Sequence, residues 1–535
     1  MKLSGFTGTR ALLILFLRRD RFWLPLWILL PAILGMFVAA TFSAMADKGM
    51  NSVLHEFDKD PLVSAILGPV MSFDLAGAIV WRGASQMALV LAIGSLLTVI
   101  RHTRTDEETG RSELIRAYEV GPYASMTAAL ILTVVGNLVS GVIIALSVIA
   151  LGGEAVGSFV FGATISAIGG FFAGIGTLGV QLWENSGSAK GIGLAVAALG
   201  IIMMILNNVG GGDTVLKWIS PMAWQRVTRP FAGNYGWSLI YFTALAAVPI
   251  VISYVLSIRR DLGAGVLPSR PGPSQAAPNF SSTPALAWKL HNRSFFVWMI
   301  CILLYIIVFS AFSPGLAQSD GMSGWLTSLG GTHWTIQGDL GYVFISITTY
   351  LASLAVAGYA MSSVLLIKSE ESEGRVELLV DKQVSRTGWM SSHLAVAALC
   401  SAGLLLATGI AGGLTYGFVT SDLSNGFWSI FLMNVSKIPP VWVLLGLTAL
   451  LYGLWPRITS LSWVAWLAFI LLELGWEAQV VDWSLLQISP FSYVHYTIDI
   501  TNLPLFSLVC LVCISVLMTG IGLLGFRNRD ILTKA

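Results

Sequence analysis

Glu107-Glu-Thr-Gly110-Arg111-Ser-Glu113-Leu114-Ile115 and Glu371-Ser-Glu-Gly374-Arg375-Val-Glu377-Leu378-Leu379 are two copies of one pattern, E-x-x-G-R-x-E-L followed by an aliphatic residue. Other landmarks recur in the same order: Asp74-Leu75 with Asp339-Leu340, Ile219-Ser220-Pro221 with Ile488-Ser489-Pro490, and Arg260-Asp261 with Arg529-Asp530. Their separations are 265, 264, 269 and 269 residues (74 to 339, 107 to 371, 219 to 488, 260 to 529), so a few small insertions account for the drift. One such agreement arises easily by chance. Four in order identify an internal duplication.

Between the landmarks the chain is apolar. Of 535 residues 55% are hydrophobic and 11% charged, with a mean hydropathy of +0.78; soluble domains carry roughly 25% charged residues. Disorder is excluded as well, because it needs low hydrophobicity and high net charge. A net charge of +2 offers no basic excess for a nucleic-acid partner. A bilayer core of about 30 Å takes about 20 apolar residues per helix. Suitable runs lie near residues 22–44, 83–100, 123–151, 155–183, 191–208 and 237–257, then near 295–316, 341–367, 392–419, 427–454, 459–476 and 505–525. The fold expected is an all-α polytopic membrane protein of twelve spans, six in each half.

Basic residues set the orientation. With the N-terminus inside, 23 lysines and arginines fall on the inner side and 6 on the outer, so both termini are cytoplasmic. Six spans per half give both halves one topology, making the repeat parallel, about an axis along the membrane normal. The organisation expected is a first repeat over 1–261, a Pro/Ser/Gly-rich cytoplasmic linker over 262–284, and a second repeat over 285–535. Before the first span, Arg18, Arg19 and Arg21 follow a short apolar stretch where a cleavable signal would need small residues. An amphipathic helix on the inner membrane face fits better.

The repeated loops follow the second and eighth spans. Read as helices, they pair Glu107 with Arg111 and Glu371 with Arg375 at i, i+4. Leu114, Ile115 and Tyr118, like Leu378 and Leu379, form an apolar side. Such a helix can rest on lipid headgroups, but its acidic end (106–108, 370–373) suits an anionic leaflet poorly. A protein-docking surface used once per half is the better reading.

No G-x-x-x-x-G-K-[ST] phosphate loop occurs; Gly187-Ser-Ala-Lys190-Gly191 has neither the spacing nor a preceding strand. No metal-binding spacing and no convergent catalytic group stands out, so no catalytic or metal residue is assigned and the chain is not read as an enzyme. Cys301, Cys400, Cys510 and Cys513 all lie in apolar runs and read as packing residues. A charge at membrane depth costs at least about 2.5 kcal/mol and marks function by default. Lys437, ahead of Pro439-Pro440, and Glu473, near the outer end of the eleventh span, are therefore candidates for a substrate path. Snorkelling or pairing with a neighbour is the structural alternative, and Glu473 lies close to Glu477 and Asp482 at the outer boundary.

The E-x-x-G-x-x-E-L-L pattern between spans two and three resembles the coupling segment of ABC-2 type permeases, also called type V ABC exporters. A basic amphipathic helix before span one and an Arg-Asp close after span six fit the same family. The fused twelve-span form, with a long first outer loop over 45–82, resembles permeases of exporters for tetronasin and other polyketide or polyether antibiotics. The resemblance implies a multi-pass permease in a bacterial plasma membrane, moving a lipophilic small molecule outward and conferring drug resistance. It implies a separate ATP-binding cassette ATPase in two copies, which holds ATP and Mg²⁺, so this chain needs no cofactor. It assigns ATPase coupling to Glu107, Gly110, Arg111, Glu113 and Leu114, and to Glu371, Gly374, Arg375, Glu377 and Leu378. Spans two, five, eight and eleven are implied to line the pathway. One departure stands out: the second loop continues with Val384-Ser385-Arg386, near the family's usual turn, whereas the first has Val120-Gly121-Pro122, so unequal docking is expected.

An ion-gradient-driven secondary multidrug transporter is the alternative, since such proteins also have twelve spans in two parallel halves. It needs embedded ionisable relays, for which only Lys437 and Glu473 qualify, and it leaves the twin loops unexplained. A sensor or assembly factor is a third possibility.

Overall fold

The computed structural model describes residues 5–43, 50–59, 61–258, 260, 263–267, 282–317, 340–380, 384–477, 481–495 and 503–530. Most of the linker expected over 262–284, and the landmark Asp339, lie outside them. Among the described residues all regular structure is helical, with one isolated parallel bridge between Trp183 and Leu267. The chain divides into two compact units, Met1–Gly272 and Pro273–Ala535. Eleven described helices are long and apolar enough to cross a membrane, and the protein is a polytopic, all-α membrane protein.

In the first unit, α1 (Thr9–Arg19) lies ahead of the spans and α2 (Trp23–Ser43) is the first of them. Leu12 and Phe16 of α1 pack on Ala124, Ala128 and Ala129, while Ile14, Leu15 and Leu17 stay exposed. That is the amphipathic pattern of a surface helix. Two short helices, α3 (Met50–Lys59) and α4 (Pro61–Leu67), precede α5 (Leu75–His102), whose first turn is capped by Asp74 accepting from the Gly77 N–H at 2.6 Å. The loop helices α6 (Arg104–Glu108) and α7 (Arg111–Arg116) follow, then α8 (Ala124–Ala150), α9 (Ala155–Leu182) and α10 (Ser186–Val209). Phe161, Ile165, Ile168 and Phe172 form one stripe of α9 and pack in one core with Met87, Ala88 and Leu91 of α5. Gly141 of α8 and Gly162 of α9 let two backbones meet, because a Cβ on either would strike the other helix.

Beyond α10 the chain turns back inward. Short α11 (Leu216–Ile219), a 3₁₀ turn over Pro221–Ala223 and α12 (Trp224–Thr228) bury Met222, Ala223 and Trp224 completely. The Ser220 hydroxyl donates to the Gly200 carbonyl at 2.7 Å. Gly200 lies nine residues before the end of α10, which at 1.5 Å per residue is about 14 Å below it. A stretch read as outer loop is thus a re-entrant cap, and α13 (Ser238–Ile258) closes the unit.

The second unit holds α14 (Thr283–Ala317), α15 (Leu340–Ser372), α16 (Arg375–Val380), α17 (Arg386–Thr420), α18 (Leu423–Val435), α19 (Ile438–Leu454), α20 (Leu461–Glu477), α21 (Trp483–Leu486) and α22 (Leu505–Asn528). Leu354, Ala357, Met361 and Val364 of α15 pack with Leu394, Ala397 and Leu404 of α17 and Val441 and Leu444 of α19. The eleventh expected span differs from the reading: α20 has 17 residues, about 25 Å of rise, short of the bilayer core. Its outer end is met by α21 and a 3₁₀ turn over Pro490–Val494, in which Phe491 and Val494 are buried.

Candidate coupling site

Each repeated loop is split by its glycine. Gly110 has φ 72 and Gly374 φ 74, with open space where a Cβ would stand. The conformation, and not crowding, therefore calls for glycine. The helix expected through 107–118 is instead α6 and α7 with a left-handed turn between them, and in the second unit α15 and α16 flank the same turn. The expected i, i+4 pairs do not form, because that turn rotates the arginine off the helical face.

Other partners take their place. Arg104 donates to Glu107 at 2.6 Å, and Arg260 pairs with the other oxygen of the same carboxylate. Arg111 approaches Asp106 at 3.6 Å, and Arg19 of α1 donates to Asp106 at 2.8 Å. In the second unit both terminal nitrogens of Arg529 donate to Glu371 at 2.7 Å, and the Tyr452 hydroxyl donates to it at 2.5 Å. Arg375 donates to Glu370 at 2.7 and 2.6 Å and pairs with Glu373. Those two carboxylates hold the Arg375 guanidinium above its ordinary range, Glu370 most strongly. Burial works against the charge of Arg529, and the facing Glu371 more than offsets it, so its pKa also rises.

The motif therefore sorts into two sets. Glu107 and Glu371 turn inward, with side chains 12% and 0% exposed, and tie their loops to the arginine that follows the last helix of the same unit. Glu113, Glu377 and Leu114 face outward; Leu114 is 72% and Tyr118 79% exposed. The Leu378 side chain lies outside the described residues. Arg260 and Arg529 had shown themselves in the sequence only as matching landmarks; that each meets the motif's first glutamate is visible in the fold alone. Nothing in the sequence marks Arg104 or Tyr452, and Asp106 stands out only as part of the acidic end.

The two candidates in the spans lie apart from the loops. Lys437 sits between α18 and α19, 1% exposed, its ammonium donating to the Met433 carbonyl at 3.1 Å. Pro439 and Pro440 fall in the first turn of α19, where a missing N–H leaves no bond unmade. Glu473 is buried and paired. The Tyr350 hydroxyl donates to it at 2.9 Å, and His495 Nε2 lies 2.5 Å from its other oxygen. His291 and His393 meet at 3.1 Å elsewhere in the unit. Among the described residues no group of three or more His, Cys, Asp or Glu could hold a metal ion.

Residues 280–527 match the family described as multidrug efflux system permease Rv1217c, C-terminal domain. The whole chain is similar to the multidrug efflux system permease protein Rv1217c of Mycobacterium tuberculosis, 34% identical over 537 residues that cover 99% of this chain and 96% of that protein.

Proposed function

The chain belongs to the family of multidrug efflux system permeases, and on that premise we propose that it is the membrane subunit of an ATP-driven exporter of the ABC-2 type. It carries lipophilic compounds, polyketide or polyether antibiotics foremost, out of the cell. A separate ATP-binding cassette ATPase, in two copies, holds ATP and Mg²⁺ and docks on the two loops. The single observation that carries this reading is the paired loop. Each unit fixes an E-x-x-G-R-x-E-L segment by an inward Glu–Arg bridge and leaves the second glutamate outward. A loop held so firmly, with Leu114 and Tyr118 bare, suits a protein partner better than solvent.

The test is purification of the tagged chain in mild detergent from its own host. An ATPase with a phosphate loop, at two copies per permease, is expected to accompany it. Glu113→Lys and Glu377→Lys, which reverse exposed charges without touching the bridges, are expected to abolish transport-coupled ATP hydrolysis while the permease still folds. A chain that purifies alone, with gradient-driven activity unaffected by both changes, would move the mechanism to a secondary transporter.

A further inference from the structure

We propose that Glu108 is the positioning residue through which the first loop moves α10, and that the second loop lacks this connection. The inference rests on the reading of the loops as ATPase contacts.

Successive side chains on a helix point about 100° apart, and α6 uses this to reach three elements with three consecutive acids. Asp106 takes Arg19 at the end of α1, and Glu107 takes Arg260 beyond α13. Glu108 takes the start of α10: one oxygen accepts the Ser186 N–H at 2.5 Å and the other the Ser186 hydroxyl at 2.6 Å. The next two N–H groups of α10, at Gly187 and Ser188, already go to the Asn185 side chain. The carboxylate therefore completes the helix cap from a different element, where the helix dipole also favours a negative charge.

The loop has a firm base from which to transmit. Arg104, four residues before Glu108 on the same short helix, is 1% exposed. It donates to the carbonyls of Glu184 at 2.8 Å, Gly263 at 2.7 Å and Ala264 at 3.2 Å. Residues 263–267 are in turn laid along the end of α9: the Val266 N–H donates to Gln181 at 3.0 Å and the Leu267 N–H to Leu182 at 2.9 Å. Loop, α9–α10 turn and departing chain are thus hydrogen-bonded into one piece. Glu108 itself is exposed, which makes its clamp a joint that can open and re-form.

The second loop has Ser372 at the corresponding place in the motif. Its hydroxyl donates to Ser369, one turn back in its own helix, at 3.0 Å. The turn before α20 is held instead by Lys368, donating to the Pro456 carbonyl at 2.6 Å. A lysine on a carbonyl fixes distance but caps no helix.

The experiment uses the full permease with its ATPase partner in proteoliposomes and an environment-sensitive fluorophore on Gly191→Cys, an exposed position of α10 with open space around it. A non-hydrolysable ATP analogue is expected to shift the fluorophore's emission in the otherwise unchanged protein. Glu108→Ala should reduce that shift about fivefold, the scale of a lost helix cap, while ATP hydrolysis shows the complex still assembled. Glu108→Gln, whose amide oxygen still accepts the Ser186 N–H, should restore a large part, and Ser372→Ala should change nothing. A full shift in both Glu108 variants overturns the inference, as does an equal loss in Ser372→Ala. Should Glu108→Ala fail to fold, Glu108→Gln and Ser186→Ala carry the same comparison. Absence of any associated ATPase would instead defeat the reading beneath it.

Discussion

Replacing Glu371 with alanine should cost the second unit more than any other single change in the loops. Its carboxylate is fully buried and accepts two parallel hydrogen bonds from Arg529 at 2.7 Å and one from Tyr452 at 2.5 Å. Arg529 is 14% exposed and lies over the Tyr452 and Phe526 rings at 5.0 and 4.8 Å. Removing one partner of a buried pair costs about 3–5 kcal/mol, because the remaining charge stays desolvated. Partial exposure lets water reach the guanidinium and trims this, while the stranded Tyr452 hydroxyl adds about 1 kcal/mol. The expected loss is about 2–4 kcal/mol, or a fall in melting temperature of roughly 4–16 °C at 2–4 °C per kcal/mol. Glu107→Ala should lose less, since Arg104 keeps three carbonyl acceptors and Arg260 keeps the Val180 carbonyl at 2.6 Å. The assay is tryptophan-fluorescence melting of the detergent-purified protein, run as a double-mutant cycle with Arg529→Ala. If Glu371→Ala melts within about 1 °C of the parent, or the cycle shows coupling below about 0.5 kcal/mol, the bridge does not hold the loop.

Gly110→Ala and Gly374→Ala should each lower stability by about 1 kcal/mol through backbone strain alone, since no neighbour crowds either site, and asparagine should be better tolerated than alanine; melting temperatures of the four variants decide this. Lys437→Met, near-isosteric and uncharged, should leave thermal stability unchanged or raise it, because a buried ammonium resting on one carbonyl is poorly compensated. A large fall in melting temperature would show that the amine has a stronger partner.

Composition and spacing made the membrane fold and the positions of the two loops legible, and their limits are physical. Apolar length is additive along a chain, so runs of 20 or more residues announce themselves, whereas α20 at 17 residues does not signal its shortfall. The re-entrant caps were hidden for the same reason. Pro221-Met-Ala-Trp224 and Pro490-Phe-Ser-Tyr-Val494 are apolar but far too short to read as membrane structure. In the loops, helical periodicity assigned partners four residues apart, and the positive φ of Gly110 and Gly374 cancelled it. The arginines that hold Glu107 and Glu371 to the end of their units lie 153 and 158 residues away, a distance over which local pattern carries no information. Yet both arginines stand in the sequence as recurring landmarks. Two recurrences kept in step can signal a contact, and that inference was available before the fold.

Duplication within one chain also permits what a symmetric dimer forbids, and the outer caps show it. At the offsets of the landmarks, Ser85, Met204 and Arg226 correspond to Tyr350, Glu473 and His495. Each triplet joins corresponding helices and cap of its own unit, yet their chemistry differs. In the first unit the Ser85 hydroxyl meets the Met204 sulfur at 3.5 Å, and Arg226 turns away to the carbonyls of Leu67 and Pro69. In the second, tyrosine and histidine converge on a buried carboxylate. Neutral soft contacts tolerate sliding, whereas a carboxylate with two short hydrogen bonds ties α15, α20 and the cap at one point. Glu473→Met, which copies the first unit's residue, should therefore remove the charged acceptor that the Tyr350 hydroxyl and the His495 ring share. Melting should fall by the equivalent of about 2–3 kcal/mol, the scale of losing hydrogen bonds to a charged acceptor. Unchanged melting would mean that the carboxylate is not the tie, and that the two outer caps are held alike.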